Sequence, residues 1–155
     1  MRITVITISD RASRGEYEDL SGPLIQKDLA ERFPAAVVSR VVVADEPAQI
    51  RGALDAAAAS DFVLTTGGTG ISPRDVTPEV TAQFCEKELP GIAEAIRAAS
   101  LAETPAAMLS RGYAGMRGGC IVVNFPGSVK AVRLCLQVVA PVMEHAARMM
   151  KGEGH

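Results

Sequence analysis

A glycine-rich stretch at residues 65–79 contains the residue types that most clearly suggest chemistry. It contains three glycines: Gly67, Gly68 and Gly70. Glycine has no Cβ atom and adopts positive φ values easily, so the N–H groups of such a stretch can line a concavity that suits an anion. Arg74 and Asp75 follow, and these side chains are typical partners of phosphate oxygens and of a metal ion, respectively. The stretch therefore predicts a site for a phosphorylated substrate.

Two familiar phosphate-binding motifs do not fit this stretch. A dinucleotide-binding turn needs Gly-x-Gly-x-x-Gly opening directly into a helix, and a P-loop needs Gly-Lys-Ser/Thr. Pro73 interrupts any helix that begins at Gly70, and no lysine lies in the stretch. A simpler alternative is that Gly67 and Gly68 only form a tight turn between a strand and a helix.

Apolar segments that alternate with helical patterns predict an α/β fold with a largely parallel sheet. The predicted strands are residues 3–8, 37–43, 61–66 and 120–124, and the first three are interpreted as buried. Residues 106–110 are expected to pair with 120–124 in a small hairpin. Ser128 is the predicted N-cap of a C-terminal helical region that Pro141 kinks or divides. We expect a single domain over 1–151 and a frayed tail at 152–155.

Polar or glycine-rich segments follow every predicted parallel strand. They are Ser9-Asp10-Arg11, Ala44-Asp45-Glu46, residues 67–75 and Pro126-Gly127-Ser128. Since the carboxyl ends of parallel strands lie on one edge of a sheet, these segments are expected to meet there. The connections at the opposite edge, 33–36 and 59–61, lack such distinctive polar or glycine-rich motifs. Taken singly, Asp10 is also explained as a local cap in a solvated loop, and Asp45 as the N-cap of the next helix.

The chemistry is narrowed by the scarcity of histidine. The two histidines are His145 and His155, both near the end of the chain, so a serine or cysteine nucleophile would lack a histidine base. A phosphate monoester needs no such base, because it is largely dianionic above its second pKa of about 6. In such a reaction Asp45 and Asp75 would hold a divalent cation. The candidate phosphate ligands are Arg11, Arg14 and Arg74.

The whole-chain properties exclude several classes of protein. The chain has 155 residues and a net charge of -2, which predicts neither a nucleic-acid-binding nor a membrane surface. The segment after Met1 is too short and too polar for a signal peptide, so a cytoplasmic protein is expected. The three cysteines show no C-x-x-C spacing and are predicted to be buried, reduced thiols: Cys85, Cys120 and Cys135.

Several of these motifs together resemble the MogA/MoaB molybdenum-cofactor proteins, which include the G domains of gephyrin-like proteins. The resemblance covers about residues 3–151 and is most specific at Gly67-Gly68-Thr69-Gly70 and at Pro73-Arg74-Asp75-Val76-Thr77-Pro78-Glu79. Supporting motifs are Ile8-Ser9-Asp10-Arg11-Ala12-Ser13, Asp45-Glu46, Met108-Leu109-Ser110-Arg111 and Asn124-Phe125-Pro126-Gly127-Ser128. The resemblance implies a three-layer α/β/α fold.

The resemblance also implies an activity, that of a molybdopterin adenylyltransferase using ATP and Mg2+. By position, Asp45 and Asp75 match the essential carboxylates and metal ligands, and Ser110 matches a serine implicated in substrate handling. The implied substrate-binding residues are Ser9, Asp10, Arg11, Gly67, Gly68, Thr69, Gly70, Arg74, Glu79, Pro126, Gly127 and Ser128. Relatives form trimers, or hexamers among MoaB-type proteins, and a molybdenum insertase is the implied partner. The alternative is a non-catalytic molybdopterin-binding or scaffold protein.

The last loop departs from the family pattern. Relatives commonly have Leu-Pro-Gly-Asn-Pro there, whereas this chain has Phe125 in place of the leucine and Val129 in place of the second proline. The sequence therefore does not define the conformation of residues 125–129, nor does it distinguish a MogA-type from a MoaB-type role.

Overall fold

The computed structural model describes residues 1–153, and within them six strands form one mixed sheet. The strands are β1 Arg2–Ile8, β2 Val37–Val43, β3 Phe62–Thr66, β4 Lys87–Glu88, β5 Ala114–Arg117 and β6 Cys120–Phe125. Their order across the sheet is β2-β1-β3-β6-β5-β4. Strands β2, β1, β3 and β6 run parallel, and β5 is antiparallel to both of its neighbours. The carboxyl ends of the four parallel strands therefore share one edge.

Helices cover both faces of this sheet. They are α1 Asp10–Ser13, α2 Ser21–Arg32, α3 Pro47–Ala57, α4 Thr77–Phe84, α5 Pro90–Leu101 and α6 Val129–Met150, with a 3-10 helix at Pro105–Leu109. Successive residues of β3 alternate between two apolar clusters, with Phe62 and Leu64 packing with α2, α5 and α6, and Val63 with α3 and α4. The structure thus confirms the α/β/α fold with a largely parallel sheet.

Strand β2 lies at the edge of the sheet and is not the buried strand that its β-branched residues predict. Its residues are exposed or half-buried, and Val37 is 66% exposed. The apolar run predicts the bounds of the strand correctly. It does not predict the position of the strand in the sheet, because burial on both faces also requires a neighbouring strand and covering helices on each side.

The hairpin is present, but the prediction of its first strand was wrong. Residues 106–110 lie in and just after the 3-10 helix, where Thr104 Oγ1 accepts a hydrogen bond from the Ala106 N–H at 3.3 Å and Pro105 fixes the first φ. Strand β5 pairs with β6 instead, and Gly118 forms the turn with φ +55. The short β5 has a weak apolar pattern, which is why the sequence did not reveal it.

Helix α6 begins as predicted and continues past Pro141. Ser128 Oγ accepts a hydrogen bond from the Ala131 N–H at 3.3 Å and caps the helix. Pro141 is exposed, whereas Val139 and Met143 on either side of it are buried, so packing against the sheet keeps the helix continuous. At the end of α6 the N–H groups of Gly152 and Glu153 donate to carbonyl oxygens of the last helical turn, each at 3.0 Å. Residues 154 and 155 of the predicted frayed tail lie outside the described residues.

Candidate active site

The glycine loop, residues 67–75, leaves β3 in a backbone conformation that favours glycine. Gly67 and Gly68 have φ values of +103 and +65. A Cβ atom at Gly67 would collide with the Ile8 carbonyl oxygen, and one at Gly68 would collide with Thr77 Oγ1. The buried Thr77 holds this turn, because its Oγ1 donates to the Gly67 carbonyl at 3.0 Å and its N–H donates to the Gly68 carbonyl at 3.2 Å. The loop is thereby fixed to the first turn of α4.

Three neighbouring amides of this loop remain available to a ligand. Within residues 1–153, the N–H groups of Gly68, Thr69 and Gly70 donate to no protein acceptor. Thr69 is only 6% exposed, and buried amides normally have a hydrogen-bond partner. Such a row of N–H groups is suited to binding phosphate oxygens.

The segment 126–128 lies beside the glycine loop. Both lie near the switch point of the sheet, between β1 and β3, because the chain goes from β1 to β2 on one side of β1 and then to β3 on the other side of β1. Thr66 Oγ1 donates to the Pro126 carbonyl at 2.7 Å, and Ser21 Oγ donates to the Gly127 carbonyl at 2.8 Å. A cleft of about 330 Å³ opens here. Its polar and glycine lining is Thr7, Ser9, Tyr17, Asp19, Ser21, Thr66, Gly67, Gly127 and Ser128. Ligands of open α/β sheets bind at such switch points.

Asp10 and Asp45 link the loops that follow β1 and β2. The Asp10 N–H donates to Asp45 Oδ2 at 2.8 Å, and the Asp45 N–H donates to Asp10 Oδ1 at 3.0 Å. Arg74 of the glycine loop donates from Nε and Nη2 to the two oxygens of Asp10, at 3.0 and 3.1 Å, and from Nη2 to Glu46 at 2.8 Å. Three loops that are distant in sequence are thus joined in one network.

The two carboxylates have pKa shifts of opposite sign. Burial raises the pKa of Asp45, and the nearby Asp10 and Asp75 carboxylates raise it further, more than the Asp10 N–H lowers it. Burial would also raise the pKa of Asp10, but the Asp45 N–H and the Arg74 guanidinium more than offset this effect, so the pKa of Asp10 lies below its ordinary value. Arg74 pairs directly with Asp10, whereas its charge is the last and smallest of the effects on the pKa of Asp45.

The Asp75 carboxylate, like that of Asp45, lies close to glycines of the loop. A Cβ atom added to Gly68 would lie 3.1 Å from Asp45 Oδ1, and one added to Gly70 would lie 2.8 Å from Asp75 Oδ2. Asp75 Oδ2 also accepts a hydrogen bond from the Ser72 N–H at 3.0 Å. The alternative that Asp45 only caps a helix is wrong, because α3 has Glu46 as its N-cap and shows no side-chain capping bond.

The residues of the Leu-Ser-Arg motif also reach the glycine loop. The Arg111 N–H donates to the Thr69 carbonyl at 2.9 Å, and its side chain forms an ion pair with Glu79. Ser110 directly precedes this contact and is half-buried, and its Oγ accepts from the Gly112 N–H at 3.4 Å. Ser110 and Glu79 therefore lie next to the loop.

Three further predicted residues follow β1: Ser9, which lines the cleft together with Gly67, and the arginines Arg11 and Arg14. Ser9 caps α1, where its Oγ accepts from the Ala12 N–H at 3.2 Å, so Asp10 is not the cap and residues 9–15 begin with a helical turn. Arg11 is exposed, with its guanidinium carbon 4.9 Å from the centre of the Tyr17 ring. Arg14 is exposed and paired with Glu16. Arg74 differs from both in its direct ion pairs with Asp10 and Glu46, whereas Arg14 acts on Asp10 only through its charge.

Sequence reasoning missed residues that hold the site together rather than line it. Arg111, Thr77, Ser21 and Thr66 each donate from a side chain to a loop carbonyl. Arg111 and Thr77 could have been found, because both lie inside motifs that carry the family resemblance, 108–111 and 73–79. Ser21 was interpreted only as part of a helix start, and its contact with Gly127 spans 106 residues of sequence.

Other features of the described residues limit the chemistry. Residues 1–153 contain no group of three or more His, Cys, Asp or Glu side chains placed to hold a metal ion. Cys120 and Cys135 are buried as predicted, whereas Cys85 is only half-buried. Burial raises the pKa of Cys85 and Cys120 to about 11 and that of Cys135 to about 12, so these thiols are poor nucleophiles. Within the same residues, no helix combines the length and apolarity needed to cross a bilayer.

The fold and the site define an α/β protein with a glycine-rich loop at the carboxyl edge of the sheet, where three amides have no protein partner within residues 1–153 and two carboxylates lie nearby. A family model described as a probable molybdopterin binding domain matches residues 4–145. The chain therefore belongs to this family of molybdenum cofactor biosynthesis proteins.

Individual relatives agree with this assignment. A molybdopterin adenylyltransferase of Helicobacter pylori (strain J99) is 42% identical, covering 98% of this chain and 89% of the relative. A molybdenum cofactor biosynthesis bifunctional protein of Synechococcus elongatus is 44% identical over 98% of this chain, which spans only 48% of that relative. The crystal structure of the molybdopterin biosynthesis enzyme MoaB from Thermus thermophilus has a TM-score of 0.88 and 41% identity, covering 99% of this chain and 98% of that chain.

Proposed function

We propose that this protein is an enzyme, a molybdopterin adenylyltransferase. In this reaction a terminal phosphate oxygen of molybdopterin attacks the α-phosphorus of ATP, the bond from that phosphorus to the bridging oxygen breaks, and pyrophosphate leaves. The observation that supports this best is that the Asp45 and Asp75 carboxylates lie beside a loop in which three amides have no protein partner among residues 1–153. The names of relatives at similar length, such as the Helicobacter protein, agree with it.

The residues of the site act by binding and orientation. The attacking phosphate is already an anion, so the lack of a histidine in the site is no obstacle. The amides of residues 68–70 would bind phosphate oxygens of the nucleotide, and the cleft beside Gly127 and Ser128 would bind the rest of a substrate. Arg74, whose side chain is 54% exposed, lies at the rim and is placed to contact phosphates that enter the site.

The carboxylates fit a bound Mg2+ ion. The raised pKa of Asp45 reflects burial and two carboxylate neighbours, which a divalent cation would compensate. Mg2+ is usually held by one or two carboxylates together with substrate phosphates, so Asp45 and Asp75 suffice as protein ligands. When bound, the ion would neutralise charge on the reacting phosphates.

The proposal extends to assembly and location. We propose a homotrimer, with a hexamer as the alternative, in the cytoplasm, and a molybdenum insertase as the protein that receives the product. An apolar groove of about 700 Å³ between α5 and α6 supports self-association. It contains Leu89, Ile92, Met116, Val142 and Met149. Light scattering of the purified chain should give three or six times the mass of one protomer, and a monomer would contradict this part.

An assay with purified substrates tests the activity. Molybdopterin, ATP and Mg2+ should yield adenylyl-molybdopterin and pyrophosphate in equal amounts. Asp55→Asn serves as a control for the loss of a carboxylate outside the site. Asp55 lies on the exposed face of α3, so this variant should keep the wild-type rate. Binding of molybdopterin without consumption of ATP would instead show a binding or scaffold protein.

A further inference from the structure

Arg111 is outside the predicted site residues, yet it donates three hydrogen bonds to carbonyl groups of the glycine loop. Its N–H donates to the Thr69 carbonyl at 2.9 Å, its Nε to the Gly70 carbonyl at 2.7 Å, and its Nη2 to the Asp75 carbonyl at 2.8 Å. These carbonyl groups lie at the two ends of residues 69–75. One arginine thus closes the segment into a ring.

Glu79 orients this arginine from the first turn of α4. It forms an ion pair with Arg111 Nη1, so Nε, Nη1 and Nη2 of the guanidinium all have protein partners. Arg111 is also the less exposed of the two arginines at the loop, since its side chain is 37% exposed against 54% for Arg74. Arg111 is therefore engaged in holding backbone, whereas Arg74 lies at the rim.

The ring determines where the Asp75 carboxylate lies. Inside it, the Ser72 N–H donates to Asp75 Oδ2 at 3.0 Å and the Asp75 N–H donates to the Ser72 carbonyl at 2.9 Å. Arg111 bonds the Thr69 and Gly70 carbonyls at one end of the ring, next to the amides of residues 68–70, and the Asp75 carbonyl at the other end. A shift of Arg111 would alter the distance between the amides and the carboxylate.

We propose that Arg111 is a positioning residue, which sets the geometry of Asp75 relative to the phosphate-binding amides without contacting the reacting atoms. This inference rests on the proposed adenylyl transfer for its kinetic consequence. Its structural consequence, the order of residues 69–75, is independent of that reaction.

The test compares Arg111→Ala and Arg111→Lys with the control Arg2→Ala. Arg2 also donates from its side chain to a backbone carbonyl, that of Ala59, but at the opposite edge of the sheet. In Arg111→Ala, amide hydrogen exchange at Ser72 and Asp75 should be about tenfold faster, because charge-assisted bonds are lost. The kcat should fall about a hundredfold, the effect expected when reacting groups are displaced by about 1 Å. A higher Mg2+ concentration should be needed for half-maximal rate. Arg111→Lys should be intermediate, and Arg2→Ala should show none of these changes.

Unchanged exchange at Ser72 and Asp75 would overturn the inference, as would acceleration spread equally over the sheet, which indicates a general structural role. If Arg111→Ala does not fold, Arg111→Lys and Glu79→Gln supply the same comparison, with smaller changes expected in the same amides. If the wild-type protein makes no adenylyl-molybdopterin, the proposed function fails, while the exchange data still decide whether Arg111 orders the loop.

Discussion

The two edges of the sheet differ in whether their polar groups have partners within the protein. At the amino edge, Asp61 Oδ2 accepts from the Arg2 N–H at 2.6 Å and Thr4 bonds Ser60 at 2.8 Å, so each group has a local partner. At the carboxyl edge, Asp45 lies near two other carboxylates, and amides of residues 68–70 have no partner within the described chain. Polar groups at the amino edge are thus satisfied by protein partners, whereas the carboxyl edge keeps neighbouring carboxylates and, within residues 1–153, N–H groups without a protein acceptor.

The largest difference between the two edges is expected when one carboxylate is removed from each. Asp75 and Asp61 each accept a hydrogen bond from a backbone N–H, of Ser72 and Arg2 respectively. Replacing either with Ala should cost about 1 kcal/mol of unfolding free energy, close to one hydrogen bond. Asp75→Ala should also lower the adenylylation rate about a thousandfold, as expected for loss of a charge-stabilising group in the site.

Asp61→Ala should keep the wild-type rate in the same assay. Thermal unfolding of both variants measures the first effect, and initial rates measure the second. Equal rates for the two variants would contradict the functional difference between the edges.

A second, smaller effect separates the glycine loop from the hairpin turn. Gly68 and Gly118 both have positive φ, +65 and +55, so Gly→Ala at either should cost about 1–2 kcal/mol of stability. A Cβ at Gly68 would also meet Thr77 and approach Asp45, whereas open space surrounds Gly118. Gly68→Ala should lower the rate about a hundredfold, by displacing the loop. Gly118→Ala should lower only the melting temperature, and loss of activity in that variant would argue against a local cause.

The smallest effect concerns protonation. Because the pKa of Asp45 is raised and that of Asp10 is lowered, Asp45 should take up its proton first as the pH falls. The stabilisation from Asp10 is present above its ordinary pKa of 3.8 and is lost as the pH falls through the lower folded value. The charge on Asp45 instead costs stability as the pH rises through its folded pKa. Asp45→Asn should therefore be at least as stable as wild type at pH 7.

Carboxyl carbon NMR titration measures both values directly. Addition of Mg2+ with ATP should lower the pKa of Asp45, since a cation favours its charged form. A pKa of Asp45 below that of Asp10 in the free protein would contradict this interpretation of the site.

Much of the fold and the identity of the loops could be predicted from the sequence, because each rests on local patterns. The bounds of β2 and the cap at Ser128 follow from residue types. The edge position of β2, the hairpin partner of β6 and the contact between Ser21 and Gly127 depend on which segments become neighbours. The role of Arg111 was hidden for the same reason, since it bonds residues about 40 positions earlier in the chain.

The central claim is that Asp45, Asp75 and the amides of residues 68–70 together bind a metal–nucleotide complex. The most direct measurement is a crystal structure with Mg2+ and an ATP analogue that has a methylene bridge between its α- and β-phosphates. We predict phosphate oxygens on the amides of residues 68–70 and the ion between Asp45 and Asp75. A nucleotide bound elsewhere, or an ion that contacts neither aspartate, would contradict the account.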